Sequence, residues 1–136
     1  MEMCVSIIRQ DDHLHFKGEN NKGNWISVDG GEESKGMRPM ELLLTALGAC
    51  SAFDASLILK KQRQSVTDFK VEVRGVRPDK GDSKPFDSIH LMFHLKGEVD
   101  PKKAERAISL AVNNYCSVGA TFRPETKITF ELRINQ

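Results

Sequence analysis

MRPMELLLTALGACSAFDASLILKKQR, residues 37–63, is the stretch on which the fold of this chain turns. Between positions 42 and 59 the single formal charge is Asp54. Pro39 suits a first helical position, whose N–H would find no partner within the helix. Glu41 falls in the electropositive first turn, and Lys60, Lys61 and Arg63 fall in the electronegative last turn. The stretch therefore reads as one helix with both ends marked. About 22 residues at ~1.5 Å each make a rod of roughly 33 Å, enough to cross a small domain. Apolar residues occupy nearly every face, so this helix is expected to be enclosed on most sides, by its own chain or by a partner subunit. A membrane span is the competing reading. Asp54, Thr45, Ser51 and Ser56, in a window of moderate hydrophobicity, argue against it.

The flanking segments alternate apolar and polar residues in the manner of strands. Val5, Ile7 and Ile8, then Leu14 to Phe16, suggest a hairpin. Asn20-Asn21-Lys22-Gly23 is a turn signal, and Trp25, Ile26 and Val28 form a third strand that Asp29-Gly30-Gly31 breaks. After the helix, Phe69, Val71 and Val73 recur at period two, as do Ile89, Leu91, Phe93 and Leu95, and later Ile128, Phe130, Leu132 and Ile134. Asp100-Pro101 is a cap and first-turn signal. It precedes the apolar stripe of a second helix, Ala104 to Tyr115, that runs to or nearly to Cys116. The order is βββ-α-ββ-α-β, an α+β class, and residues 1–136 suit a single domain.

Twenty Lys and Arg against 19 Asp and Glu give a net charge of +1, so no basic excess points to nucleic acid or to an anionic membrane. The opening MEMCVSIIRQDD lacks a basic head followed by a sustained apolar run, so no secretory signal is read and a cytoplasmic location is expected. Three cysteines, Cys4, Cys50 and Cys116, are too few and too far apart for a secreted disulfide framework.

Chemistry must come from the cysteines, the histidines and the charges near them. Cys4 has no polar company in sequence and reads as a bystander. Cys50 and Cys116 each fall in an apolar helical neighbourhood. They are either small core residues or a redox pair, in which one thiolate attacks an oxidant and the other resolves the sulfenic acid to a disulfide. The pair requires Cα atoms within about 7 Å. His90 and His94 would chelate on a helix but stand roughly 13 Å apart on a strand. His13 and His15 could share a strand face but no carboxylate or thiol at ligand spacing joins them, so no metal site is expected. No phosphate-binding glycine loop, nucleophile elbow or dinucleotide fingerprint is present.

The segments RPMELLLTALGACSAFD, around Cys50, and NYCSVGATF, around Cys116, resemble the two cysteine motifs of the OsmC/Ohr family of thiol-dependent peroxidases. Their separation of 66 residues is typical of that family, and the wording is closest to its YhfA-like branch. The resemblance covers essentially the whole chain. It implies an α+β OsmC-like fold in an intertwined homodimer, the long helices of two copies lying back to back between sheets from both chains. It implies Cys50 as the peroxidatic residue and Cys116 as the resolving one, an organic hydroperoxide as substrate, and regeneration by a dithiol such as a lipoyl protein, without metal or organic cofactor. Hydroperoxide-reducing members carry a glutamate ten residues before the first cysteine, where this chain has Met40, and a loop arginine that aligns with Gly30. Glu41, Arg38 and Arg123 are the candidate replacements. Met40, Leu47, Phe53 and Phe122 could line an apolar mouth for the substrate. Asp54 is expected to make a capping or interhelical hydrogen bond, and Tyr115 to be core or interface.

The function expected is therefore oxidative-stress defence through a Cys50/Cys116 peroxidase. Alternatives are an OsmC-like small-molecule binding or redox-sensing protein with weak or no peroxidase activity, and an interaction protein with inert cysteines.

Overall fold

A computed structural model describes residues 1–136, which fall into two compact units, Met1–Leu43 and Leu44–Gln136. The first holds β1 (Val5–Arg9), β2 (His15–Asn20) and β3 (Trp25–Asp29), paired antiparallel in the order β1-β2-β3. The β2–β3 turn forms because Asn20 Oδ1 accepts from the Lys22 and Asn24 N–H groups, both at 3.0 Å, while Gly23 takes φ 82°. The break after β3 has a similar cause. The buried Asp29 carboxylate accepts from the Gly31 N–H at 2.8 Å and the Lys35 N–H at 3.0 Å, and these two bonds also hold its pKa below the usual carboxylate value. The loop then returns to β3, where Met37 bridges Val28 and any Cβ at Gly36 would run into the Ser27 carbonyl.

The helix read from the sequence is α1 (Pro39–Lys61), with Glu41 in its first turn and Lys60 and Lys61 in its last. Its start is closed by the Arg38 N–H, which donates to Glu41 Oε1 at 2.8 Å. Leu47, Ser51, Ala55 and Leu59, four apart, are buried with Gly48. Leu43, Phe53 and Leu57 are exposed. The enclosure expected on most sides is thus supplied by this chain along one stripe only. By length and composition α1 would also span a membrane, although 28% of its most apolar window is buried within the chain.

In the second unit β4 (Ser65–Val76) pairs antiparallel with β5 (Ser88–Glu98), and β5 pairs parallel with β6 (Lys127–Ile134). A parallel pair needs a long crossover, and residues 99–126 provide it. Ile89, Leu91, Phe93 and Leu95 are buried on one face of β5, as their alternation predicted. Leu95 clusters with Leu59 of α1 and with Ala104 and Ala107 of α2 (Pro101–Leu110). Phe69 and Phe93 meet edge to face across β4 and β5, with ring centroids 6.1 Å apart. Helix α2 starts as read: Asp100 Oδ2 accepts the Lys103 N–H at 3.0 Å and Pro101 opens the first turn.

The second helix differs from its reading at the far end. It stops at Leu110, passes through a π-helical turn (Ala111–Tyr115) in which the Cys116 N–H reaches the Ala111 carbonyl at 3.0 Å, and restarts as α3 (Ser117–Phe122). The apolar stripe runs unbroken through this register change, so periodicity could not reveal it. Cys116 is therefore the extended N-cap residue of a separate helix, with φ −69° and ψ 106°.

Candidate functional site

Cys116 and Cys50 come together in the second unit. Cys50 is half-buried near the middle of α1, and the neighbouring Ser51 and Cys116 are 0% and 3% exposed. All three cysteines are free thiols, and Cys4 is exposed, in keeping with a bystander.

Two donors converge on Cys116 Sγ. The Ser51 hydroxyl donates from 3.5 Å, and the Gly119 N–H from 3.3 Å as the cap of α3. Gly119 also permits close packing. A Cβ there would stand 3.6 Å from Cys116 Sγ and 3.0 Å from Arg123 Nη1. The Arg123 guanidinium thus packs over Gly119 beside Cys116, and its buried Nη2 has no hydrogen-bond partner.

Burial pushes the Cys116 thiol above its ordinary value. The Ser51 and Gly119 hydrogen bonds pull the other way, and a hydrogen bond and charge from Cys50 push it further up. Ser51, the helix neighbour of Cys50, reaches Cys116 Sγ, so the two cysteine segments meet here.

The remaining candidates divide. Arg123 Nη1 lies against Gly119, three residues beyond Cys116. Arg38 Nη1 donates to the Gly30 carbonyl at 3.2 Å in the first unit, and the Glu41 carboxylate caps α1 there. Among the proposed mouth residues, Leu47 is 1% exposed and belongs to the core, Met40 and Phe122 are half-buried, and Phe53 is 72% exposed. Tyr115, 59% exposed, is not core in this chain. Asp54 Oδ2 is buried and has no hydrogen-bond partner within the chain.

No cluster of three or more His, Cys, Asp or Glu residues suited to a metal occurs. The strand reading of His90 and His94 is correct, and each has a carboxylate on a neighbouring strand. His90 Nε2 lies 3.1 Å from Glu131 Oε1, and His94 Nε2 lies 3.0 Å from Glu72 Oε1. His15 has one carboxylate neighbour. Its ring links Asp11 Oδ2 at 3.3 Å to Ser27 Oγ at 2.9 Å.

Ser51 and Gly119 were not singled out from sequence. Ser51 read only as a polar interruption of an apolar helix. The available signals were a hydroxyl adjacent to Cys50 and a glycine three residues beyond Cys116, at the spacing of a helix cap.

Comparison with known proteins places this arrangement. Protein YhfA of Escherichia coli (strain K12) is 34% identical over 122 residues, covering 89% of this chain and 90% of that protein. A hypothetical protein from Aquifex aeolicus VF5 superposes with a TM-score of 0.83 at 32% identity, over 100% of this chain and 99% of that one. The organic hydroperoxide resistance protein OhrB of Bacillus subtilis superposes with a TM-score of 0.67 at 16% identity over 98% of each chain, a likeness of fold. The family model described as OsmC-like protein matches residues 30–131, which span both cysteine segments, and the chain belongs to the OsmC-like family.

Proposed function

We propose that this protein is a thiol-dependent peroxidase that reduces organic hydroperoxides through Cys50 and Cys116 in oxidative-stress defence. The observation that carries the reading is that Ser51, next to the half-buried Cys50 on α1, reaches the buried Cys116 Sγ at 3.5 Å, which joins two free-cysteine segments 66 residues apart. Membership of the OsmC-like family and a fold shared with a protein named for organic hydroperoxide resistance support it.

In the proposed cycle the Cys50 thiolate attacks the outer oxygen of the hydroperoxide. An S–O bond forms, the O–O bond breaks, and the alkoxide leaves as the alcohol after taking a proton. The Cys116 thiolate then attacks the Cys50 sulfenic sulfur and expels hydroxide, which is protonated to water, leaving a Cys50–Cys116 disulfide. A dithiol reductant, such as a lipoyl protein, returns both thiols and is itself oxidised to a disulfide. The apolar residues left exposed on α1, Phe53 and Leu57, support a homodimer in which a second copy covers them. The cytoplasmic setting rests on the sequence, whose three cysteines are too few and too far apart along the chain for a secreted disulfide framework.

The alternative is an OsmC-like small-molecule binding or redox-sensing protein with weak or no peroxidase activity. Steady-state consumption of tert-butyl hydroperoxide with dihydrolipoamide separates the two. Peroxidase turnover should be abolished in Cys50→Ser, while Cys116→Ser should form no intramolecular disulfide. Absence of turnover in the wild type, or undiminished turnover in Cys50→Ser, refutes the peroxidase reading.

A further inference from the structure

We propose that Ser51 is a positioning residue for regeneration: with the Gly119 N–H it lets the buried Cys116 depart as the thiolate, while a reducing thiol attacks the more open Cys50 sulfur. The inference rests on the redox-pair reading above and concerns the direction in which the disulfide opens.

Thiol–disulfide exchange needs an attacked sulfur that the nucleophile can reach and a departing sulfur that can hold negative charge. Access selects Cys50, because Cys116 is 3% exposed. The same burial makes Cys116 a poor home for charge unless donors surround it. Ser51 supplies one. A serine inside a helix ordinarily turns its hydroxyl to solvent or to the carbonyl four residues back. Ser51 is fully buried, and its hydroxyl instead donates to Cys116 Sγ, 65 residues along the chain. The Gly119 N–H supplies the second donor, at 3.3 Å. The Arg123 guanidinium packs over Gly119, the residue that supplies this donor, and its buried Nη2 has no partner.

The step balances. The reductant thiolate forms an S–S bond to Cys50 Sγ as the Cys50–Cys116 bond breaks, and the electron pair of that bond goes to Cys116 Sγ. Ser51 and Gly119 hold the charge until a proton arrives. The second thiol of a dithiol reductant then displaces Cys50, closing the reductant's own disulfide.

The test prepares the disulfide with diamide, so that it depends on no peroxidase chemistry. The oxidised protein is opened with 2-mercaptoethanol, quenched in acid and alkylated, and peptide mass spectrometry locates the adduct. The wild type should carry mercaptoethanol on Cys50 and the alkyl label on Cys116. In Ser51→Ala the opening should slow about tenfold, the scale of one hydrogen bond to a charged group. Alkylation of reduced Cys50 in that variant should be unchanged, which a general structural disturbance would not allow. Mercaptoethanol on Cys116, an unchanged opening rate in Ser51→Ala, or failure of diamide to form the disulfide each overturns the proposal. The wild-type adduct position needs no variant, so it decides even if Ser51→Ala misfolds. A disulfide that opens at Cys50 in a protein without hydroperoxide turnover would uphold this inference and refute the peroxidase reading. Turnover together with an adduct on Cys116 would do the reverse.

Discussion

Leu47→Ala and Phe53→Ala, less than two turns apart on α1, separate a core residue from an exposed one. Leu47 is 1% exposed and among the largest fully buried side chains, so truncation removes apolar contact and leaves a cavity that neighbours fill only in part. Such a change costs about 2–5 kcal/mol. With an unfolding entropy of ~2.1 cal/mol/K per residue, a chain of 136 residues loses about 3.5 °C of Tm per kcal/mol, giving a fall of roughly 7–17 °C. Phe53 is 72% exposed, and its truncation in the isolated chain should change stability by no more than about 0.5 kcal/mol, or ~2 °C. Thermal unfolding followed by circular dichroism over a range of protein concentrations provides the assay. The Leu47→Ala loss should be independent of concentration. A Phe53→Ala loss that grows with concentration would indicate a partner copy on that face. Because Leu47 is core, KM for a hydroperoxide measured on the folded variant should be unchanged. A Tm within about 2 °C of wild type, or a raised KM with intact stability, would return Leu47 to the substrate mouth.

Three further outcomes are expected. N-ethylmaleimide should label Cys4 fastest, Cys50 next and Cys116 slowest at neutral pH, following their exposure, and Cys116 labelling should keep rising above the ordinary thiol value of 9.0 because burial raises it; equal rates for Cys50 and Cys116 would contradict the site geometry. Glu72, paired with Lys70 and His94, and Glu131, paired with His90 and Arg133, are held below the ordinary 4.5, so they stabilise the fold above that pH and the contribution is lost as pH falls through their lowered values. The double variant Glu72→Gln/Glu131→Gln should flatten the dependence of stability on pH below 4.5 in urea titrations, and an unchanged slope would dismiss these pairs. Asp100→Ala should destabilise by about 0.5–2 kcal/mol through loss of the α2 cap, read by chemical unfolding, and a neutral result would show the cap to be dispensable.

Much of this molecule is local and therefore written in the order of its residues. Period-two runs such as Ile89 to Leu95 place one face inward because successive strand side chains alternate. Pro39, Glu41 and the terminal lysines mark the ends of α1 through the geometry of unpaired helix-end groups, and Asp100-Pro101 does the same for α2. The cysteine segments, with their spacing, identify the family. What stayed hidden depends on contacts between distant residues. The π-helical turn at 111–115 leaves hydrophobic periodicity intact, so the separate placement of Cys116 as a cap shows only in the backbone. Which apolar faces of α1 are covered depends on where β5 and α2 pack, and they leave Phe53 and Leu57 outside. Sequence alone determined that Cys50 and Cys116 were the residues to examine. Only the tertiary structure decided that Ser51 and Gly119 aim their donors at Cys116 and that Arg123 packs beside it, because those contacts join residues that no local rule relates.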